Sequence, residues 1–394
     1  MISTSEANAL IHQHISPLPP GQFPLGAAAG LTLAADLSAP ADIPAFPQSS
    51  MDGYAFSFGD WKRFDELAID GMIPAGQETV AALLPQQAAR IFTGAAVPPG
   101  ADTVVMQEKT QSVNGRLRIE DEHLQRGGNV RPQGSEIRKG ELALPAGSRL
   151  TPAALGFLAG IGIATVPAHP RPRVALIVTG NELQTPGKPL SFGQVYESNS
   201  VALQAALQQL GHTPAATYKV KDDPEALQDI LQAALQESDL VLLTGGVSVG
   251  AYDFVLPAAG RCGVHTVFHK VKQRPGKPLF FGLQGQKPVF GLPGNPSSVL
   301  TCFYRYVWLA LDRLGNTSAQ GHSIQAPLAK DYTKAAGLTH FLKGYYDGQS
   351  ADPLDAQESY RMRSFARANC LIQIDEEQTR CEKGTPVTVH LLPH

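Results

Sequence analysis

The sequence predicts a multidomain α/β protein with β modules: a doubly wound parallel-sheet domain, a β-rich insertion domain, a small helical and extended domain, and a C-terminal β domain. Three observations carry this. From about residue 171 to 318, β-branched runs alternate with amphipathic helical stretches, the pattern of a parallel sheet wrapped by helices. Between residues 46 and 145, short apolar runs are separated by glycine and proline at close intervals, the pattern of β structure. The chain has 394 residues, well beyond one ordinary domain of ~150 residues. The boundaries implied are 1–45 with 141–170 for the helical and extended part, 46–140 for the β-rich part, 171–318 for the α/β part and 319–394 for the last.

Taken in order, Ser3-Thr-Ser-Glu6 has the spacing of a capping box, and Ala7, Leu10, Ile11 and Ile15 follow at helical period, so residues 4–15 are expected to be a helix. A Pro/Ala/Gly-rich stretch with one short strand near Leu31–Ala35 comes next. Arg90–Phe92, Thr103–Met106, Arg116–Ile119 and Glu141–Leu144 read as strands. Thr151 caps a helix that is followed by a turn and a short strand. Val174–Val178 is a buried strand ending in Thr179-Gly180. Ser198–Leu210 is a helix stopped by Gly211, and Asp223-Pro224 opens another as N-cap and first residue. Leu240–Leu243 is a strand ending in Thr244-Gly245-Gly246, Pro278–Gly282 and Pro288–Leu292 are two more, and Ser297–Leu314 is a long helix. Val387–Leu391 is the clearest strand of the last part.

Composition excludes several classes. Glycine (38) and proline (31) are above average usage yet short of the ~25–30% that marks low complexity. A formal charge of −3 argues against general nucleic-acid binding. Cys262, Cys302, Cys370 and Cys381 are too few and too scattered for a disulfide framework or a zinc site, which fits a reducing cytoplasm. The uncharged stretch between Glu6 and Asp36 has no basic residue before it and is broken by prolines, so it does not read as a signal peptide. Leu150–Ala168 is uncharged too, but Pro152, Gly156, Gly160, Gly162 and Pro167 exclude a membrane span.

Chemistry is expected where three strands of the α/β part run into unusual loops: Thr179-Gly-Asn-Glu182, Thr244-Gly-Gly-Val-Ser-Val-Gly250 and Leu292-Pro-Gly-Asn-Pro-Ser297. In a parallel sheet such loops gather at one edge, where ligands bind. Their glycines let backbone N–H groups approach an anion. Lys270, Lys272, Arg274 and Lys277 fall within eight residues beside a Pro-Gly-Lys-Pro turn and suit an oxyanion; a solvated strand face is the other reading. Glu182, Asp222 and Asp253 are carboxylates at loop positions, and facing phosphate-binding loops they suit a hard divalent cation such as Mg²⁺, with capping or simple exposure as the alternative for each acid. His265 and His269 lack metal-ligand neighbours and read as structural, and neither a nucleophile elbow nor an H-E-x-x-H occurs.

These stretches, together with Ser49-Ser-Met-Asp-Gly-Tyr-Ala55, Arg90-Ile-Phe-Thr-Gly94, Val97–Glu108, Pro275-Gly-Lys-Pro278 and Leu292-Pro-Gly-Asn-Pro296, resemble in order the signatures of the molybdopterin molybdenumtransferase (MoeA) family, to which the E domain of gephyrin belongs. The resemblance implies insertion of molybdenum from molybdate into adenylylated molybdopterin with release of AMP, a requirement for Mg²⁺, and a cytoplasmic homodimer whose cleft involves both subunits. It also implies transient contact with the adenylyltransferase and with molybdopterin synthase, and no nucleic-acid or membrane partner. By matching position it assigns Gly245, Gly246, Ser248, Gly250, Gly294 and Asn295 to the pterin and its phosphate, and Lys270, Arg274 and Lys277 to anion contacts. Asp222, Asp253 and Glu182 become acid or metal-facing groups, with Asp222 and Asp253 the metal ligands. Asp52, Thr93, Glu136 and Ser364 match family positions around the cleft, with a turn role as the alternative for Asp52 and Thr93. The chain departs from the family's usual residues at Glu136, Asn181, Glu197, Arg274 and Leu338, where Asp, an acid, Asp, Lys and Arg are expected. The alternatives to insertion are the adenylyltransferase step, a non-catalytic scaffold and a divergent paralogue.

Overall fold

The computed structural model describes residues 1–246, 254–317 and 323–393. The chain divides into two units, Met1–Gly21 with Ala168–His394, and Gln22–Pro167.

The Gln22–Pro167 unit is built on a six-stranded sheet in the order Thr103–Met106, Gly53–Phe56, Gln87–Ile91, Glu66–Ile73, Arg116–Ile119, Thr110–Val113. The strand period of two decides its packing. Adjacent residues such as Ala55 and Phe56, Ala88 and Ala89, or Val104 and Val105 point to opposite faces and enter two separate apolar clusters. Thr151 caps the helix Pro152–Gly160 by accepting from the Ala154 N–H, as the sequence predicts.

The other unit begins with helix α1, Thr4–His14, closed by the predicted reciprocal Ser3–Glu6 capping box. Its α/β sheet contains β1 Val174–Thr179, β2 Pro214–Val220, β3 Leu240–Thr244, β4 His265–His269, β5 Phe280–Gln284 and β6 Lys287–Leu292, in the spatial order β2-β1-β3-β6-β5-β4. The first four in that order pair in parallel. The parallel pattern read from the sequence does not extend to the far edge: β5 and β6 form an antiparallel hairpin, and β4 adds antiparallel to β5. Only about two residues separate β5 from β6, and a parallel crossover needs a dozen or more.

Both faces of this sheet are covered, which is why its strands are near-continuous apolar runs. Leu176, Leu242 and Phe290 face one cluster, with Leu203 and Leu207 of helix α2 (Asn199–Gln209). Ala175, Ile177, Val241 and Leu243 face the other, with Leu227, Leu231, Ala234 and Leu235 of helix α3 (Pro224–Glu237). Asp223 caps α3 by accepting from the N–H groups of Glu225 and Ala226, and Pro224 takes the first helical position. Each fully buried leucine here stabilises by roughly 1.5–3 kcal/mol relative to exposure, so Leu231→Ala would loosen α3 more than loss of its cap, which costs ~1 kcal/mol.

The long helix expected over Ser297–Leu314 is continuous but not uniform. Helix Pro296–Cys302 runs into a π-helical turn, Phe303–Val307, and resumes as Trp308–Leu314. The wider turn is an inserted bulge of the kind found at functional sites. The last part is a β sheet in the order Gln273–Arg274, Thr339–Tyr346, Cys370–Ile374, Pro386–Leu391, Ser323–Pro327.

Candidate active-site cleft

The chain runs from β1 to β2 on one side of the sheet and then crosses to β3 on the other. The carboxyl ends of β1 and β3 are therefore the topological switch point, where α/β sheets open a crevice for ligands. A cleft of about 970 Å³ lies there, and Thr179, Asp222, Gly245, Gly294 and Asn295 all line it. Gly245 is required by this convergence. Its φ is +87°, and a Cβ would stand 2.4 Å from the Thr179 carbonyl oxygen. Asn199, at the start of α2, donates to the Gly294 carbonyl at 2.9 Å, while its Oδ1 is buried without a partner among the described residues.

One wall carries cations. Arg274 and Lys277 flank the turn Pro275-Gly276 and line the cleft. Both side chains are exposed, and neither has an ion-pair or hydrogen-bond partner among the described residues. Beneath them the turn is anchored in the core. Gln273, 1% exposed, donates from Nε2 to the Gly276 carbonyl at 3.1 Å and accepts at Oε1 from the Tyr306 hydroxyl. Cys302 Sγ lies 3.7 Å from the same carbonyl. Burial pushes the Cys302 thiol up to about 12 and the Tyr306 phenol up as well, so both stay protonated donors. Tyr306 belongs to the π-helical turn, which thus serves the cation wall. A Cβ on Gly276 would meet Cys302 Sγ at 2.5 Å, so this turn admits no larger residue.

A second wall carries acids. Asp222 and Asn181 hold each other: the Asn181 N–H donates to Asp222 Oδ2 at 3.2 Å, and the Asp222 N–H donates to Asn181 Oδ1 at 3.2 Å. Glu182 lines the same cleft and is exposed. Glu197, also a lining residue, is 2% exposed and caps α2, accepting from the Ser200 N–H at 2.8 Å and the Ser200 hydroxyl at 2.5 Å. Its longer side chain, where the family expects Asp, is absorbed by that cap. Among the described residues no three His, Cys, Asp or Glu side chains form a metal-holding group.

The third wall is a loop of the C-terminal part. Gln357, Glu358, Ser359 and Tyr360 line the cleft, and the loop docks on the helix that follows β6. Asn295 Nδ2 donates to the Ser359 hydroxyl at 2.9 Å, and the Ser297 N–H donates to the Ser359 carbonyl at 3.1 Å. Leu338 lines the cleft beside the ladder that pairs Gln273 with Thr339, so two departures from the family pattern, Leu338 and Arg274, are close neighbours.

Of the site residues expected from the sequence, the structure brings together Glu182, Asp222, Gly245, Gly246, Arg274, Lys277, Gly294 and Asn295. Ser248, Gly250 and Asp253 lie outside the described residues. Lys270 and Ser364 do not line the cleft. Lys270 has φ +69° and its backbone pairs with Ile2 and Leu279, while the Ser364 hydroxyl donates to the carbonyls of Ala356 and Arg361 at 2.9 and 3.3 Å. Asp52, Thr93 and Glu136 belong to the Gln22–Pro167 unit. There Asp52 Oδ1 accepts from the Thr93 N–H at 2.8 Å and the Thr93 hydroxyl at 2.7 Å, and these bonds hold its carboxyl below the usual range. Glu136 is exposed. Sequence reasoning missed Gln273, Tyr306, Ser359 and Tyr360. The first two sit in runs that read as strand and helix core, and the last two in a stretch with no periodicity.

A doubly wound sheet whose switch-point cleft gathers exposed cations and loop carboxylates defines an α/β protein with a charged cleft at its strand ends. Family models match along the chain: the MoeA N-terminal region (domain I and II) at residues 2–162, a probable molybdopterin binding domain at 175–313, and the MoeA C-terminal region (domain IV) at 325–392. Molybdopterin molybdenumtransferase 2 of Mycobacterium tuberculosis is 35% identical over 402 residues, covering 99% of both chains. Molybdopterin molybdenumtransferase of Nostoc sp. is 36% identical over 386 residues, covering 94% of this chain and 88% of that one. Two structures of a molybdopterin biosynthesis MoeA protein from Pyrococcus horikoshii align with TM-scores of 0.84 and 0.79, at 30% and 28% identity over 100% and 99% of this chain and all of theirs. The chain belongs to the molybdopterin molybdenumtransferase (MoeA) family, transferases of the molybdenum-insertion step of cofactor biosynthesis. No helix among the described residues is long and apolar enough to cross a membrane.

Proposed function

We propose that this chain inserts molybdenum from molybdate into adenylylated molybdopterin, releasing AMP, and that the cleft at the ends of β1, β3 and β6 is where it does so. The observation that carries this is the pair of cations Arg274 and Lys277, without partners among the described residues, sharing one cleft with Glu182 and Asp222. Molybdate and the cofactor phosphates are all anions, and bringing them together requires fixed positive charge against their repulsion. Arg274 offers a fork and Lys277 a point charge for tetrahedral oxyanions. Gly245, Gly246, Gly294 and Asn295 form the backbone-rich surface on which a phosphate settles.

Magnesium fits this donor set. Mg²⁺ is held by one or two carboxylates and completed by phosphate and water oxygens, and Glu182 and Asp222 are two loop carboxylates lining one cleft. Bound there, Mg²⁺ supplies charge neutralisation between substrate oxyanions. Asp253 joins them in this reading as a residue outside the described set, and Asp52, Thr93 and Glu136 join it through the family resemblance. The same reading includes a cytoplasmic homodimer, and it keeps the division into parts at 1–45 with 141–170, 46–140, 171–318 and 319–394.

The test is direct. Purified protein supplied with adenylylated molybdopterin should release AMP only when molybdate and Mg²⁺ are both present, and chelation with EDTA should stop it. ATP-driven adenylylation of molybdopterin by this chain alone, with no AMP release, would contradict the proposal.

A further inference from the structure

The wall formed by residues 356–361 gathers three of its carbonyls around one buried cation. Lys343, in the strand Thr339–Tyr346, is 2% exposed and has no carboxylate within ion-pair distance among the described residues. Its ammonium donates to three carbonyls of one loop, those of Ala356 at 2.7 Å, Arg361 at 3.0 Å and Glu358 at 3.3 Å. Three donors of an ammonium meet three acceptors, so a buried charge that would otherwise be costly is fully bonded. Gln357 ties the same loop to the backbone of the same residue, accepting from the Lys343 N–H at 2.9 Å and donating to the Lys343 carbonyl at 2.9 Å. The Ser364 hydroxyl also reaches the Ala356 and Arg361 carbonyls, at 2.9 and 3.3 Å, and the Arg361 N–H reaches the Glu358 carbonyl at 3.0 Å. Converging carbonyl dipoles repel one another, and among the described residues the ammonium is the donor that all three share.

What the loop carries makes this cation matter. Between the clamped carbonyls of Ala356 and Arg361 stand Gln357, Glu358, Ser359 and Tyr360, all lining the cleft. Ser359 meets Asn295 and Ser297 at the start of the helix after β6, the region that the functional reading gives to the phosphate.

We propose that Lys343 is the positioning residue of the 356–361 wall: it touches no substrate, but sets where Ser359 and Tyr360 stand in the cleft. This rests on the functional reading for its consequence in turnover, and on the geometry alone for its consequence in the loop. The experiment therefore has two arms on the full-length protein, with Lys343→Met and the milder Lys343→Gln. In hydrogen exchange, amides of residues 355–361 and Ser297 should exchange about tenfold faster or more in Lys343→Met, less so in Lys343→Gln, while Cys370–Ile374 keeps its protection. In kinetics, KM should rise about tenfold with kcat within about threefold of the parent, the signature of lost ground-state positioning. If Lys343→Met does not fold, Lys343→Gln carries both arms. Unchanged exchange of 355–361 in a folded variant overturns the proposal, and so does exchange that rises equally across the sheet. If the parent shows no turnover, the functional reading fails while the exchange arm still decides the role of Lys343.

Discussion

The cation wall and the acid wall of the cleft are built differently. Arg274 and Lys277 stand on a turn locked from beneath by Gln273, Tyr306 and Cys302, which are 1%, 0% and 0% exposed. Asp222 is only half-buried, Glu182 is exposed, and Asp222 is held by reciprocal 3.2 Å bonds with Asn181. The lesson is that the two walls divide preorganisation. The turn that carries the positive charge is fixed by the core, while the exposed Arg274 and Lys277 side chains order only when an anion arrives. In the proposed function, carboxylates that share a metal with a substrate stay adjustable, because the substrate supplies part of the coordination.

The largest break in this comparison comes from emptying the cation wall. Arg274→Ala with Lys277→Ala should lower kcat/KM by about 10²–10³-fold, with the melting temperature unchanged because both side chains are exposed and have no partner among the described residues. On the acid wall, Asp222→Asn should cost about 10–100-fold in turnover and raise the Mg²⁺ concentration needed for half-activity, since the proposed function makes Asp222 a hard ligand of that ion. Tyr306→Phe sharpens the contrast from below. It strands a buried Gln273 acceptor, so unfolding free energy should fall by about 1–3 kcal/mol, with a few-fold rise in KM that no acid-wall variant of equal stability reproduces.

The support beneath the cations is also sensitive to alkali. Cys302 is raised by burial from 9.0 to about 12, so the folded thiol keeps its proton where the unfolded one loses it. Its contribution is complete below pH 9 and is lost as pH rises from 9 towards 12. Thermal melts should therefore decline above pH 9, and Cys302→Ala should flatten that decline. Cys370, also raised by burial to about 12, leaves a residual slope in that variant. The smallest effect expected is from Asn181→Asp. A second carboxylate beside Asp222 should repel it without Mg²⁺ and be offset with it, a change of about twofold to fivefold in apparent Mg²⁺ affinity.

How much of this was legible in the sequence follows from what kind of signal each feature leaves. Caps and stops are local chemistry, so Ser3–Glu6, Thr151 and Asp223-Pro224 were readable one by one. The three strand-end loops were readable because glycine is required where Gly245 approaches Thr179. Strand direction leaves no such mark: Phe280–Gln284 and Lys287–Leu292 are equally apolar whether parallel or antiparallel, and only the short turn at Gly285 separates the cases. The π-helical turn at Phe303–Val307 is hidden because its residues fit an ordinary helix pattern. Lys270 shared the charge run of Arg274 and Lys277, yet a left-handed backbone and pairing with Ile2 and Leu279 place it elsewhere. Lys343 is the opposite case, a lone lysine among apolar neighbours whose role exists only once residues 356–361 fold back over it.

The most direct test of the account is molybdate-dependent AMP release measured side by side for the parent protein and the Arg274→Ala/Lys277→Ala double variant, each confirmed folded by thermal melt. The account predicts turnover in the parent and a loss of about 10²-fold or more in the variant at equal stability. A double variant that releases AMP at the parental rate would show that these cations do not hold the reacting anions, and the central claim would fall.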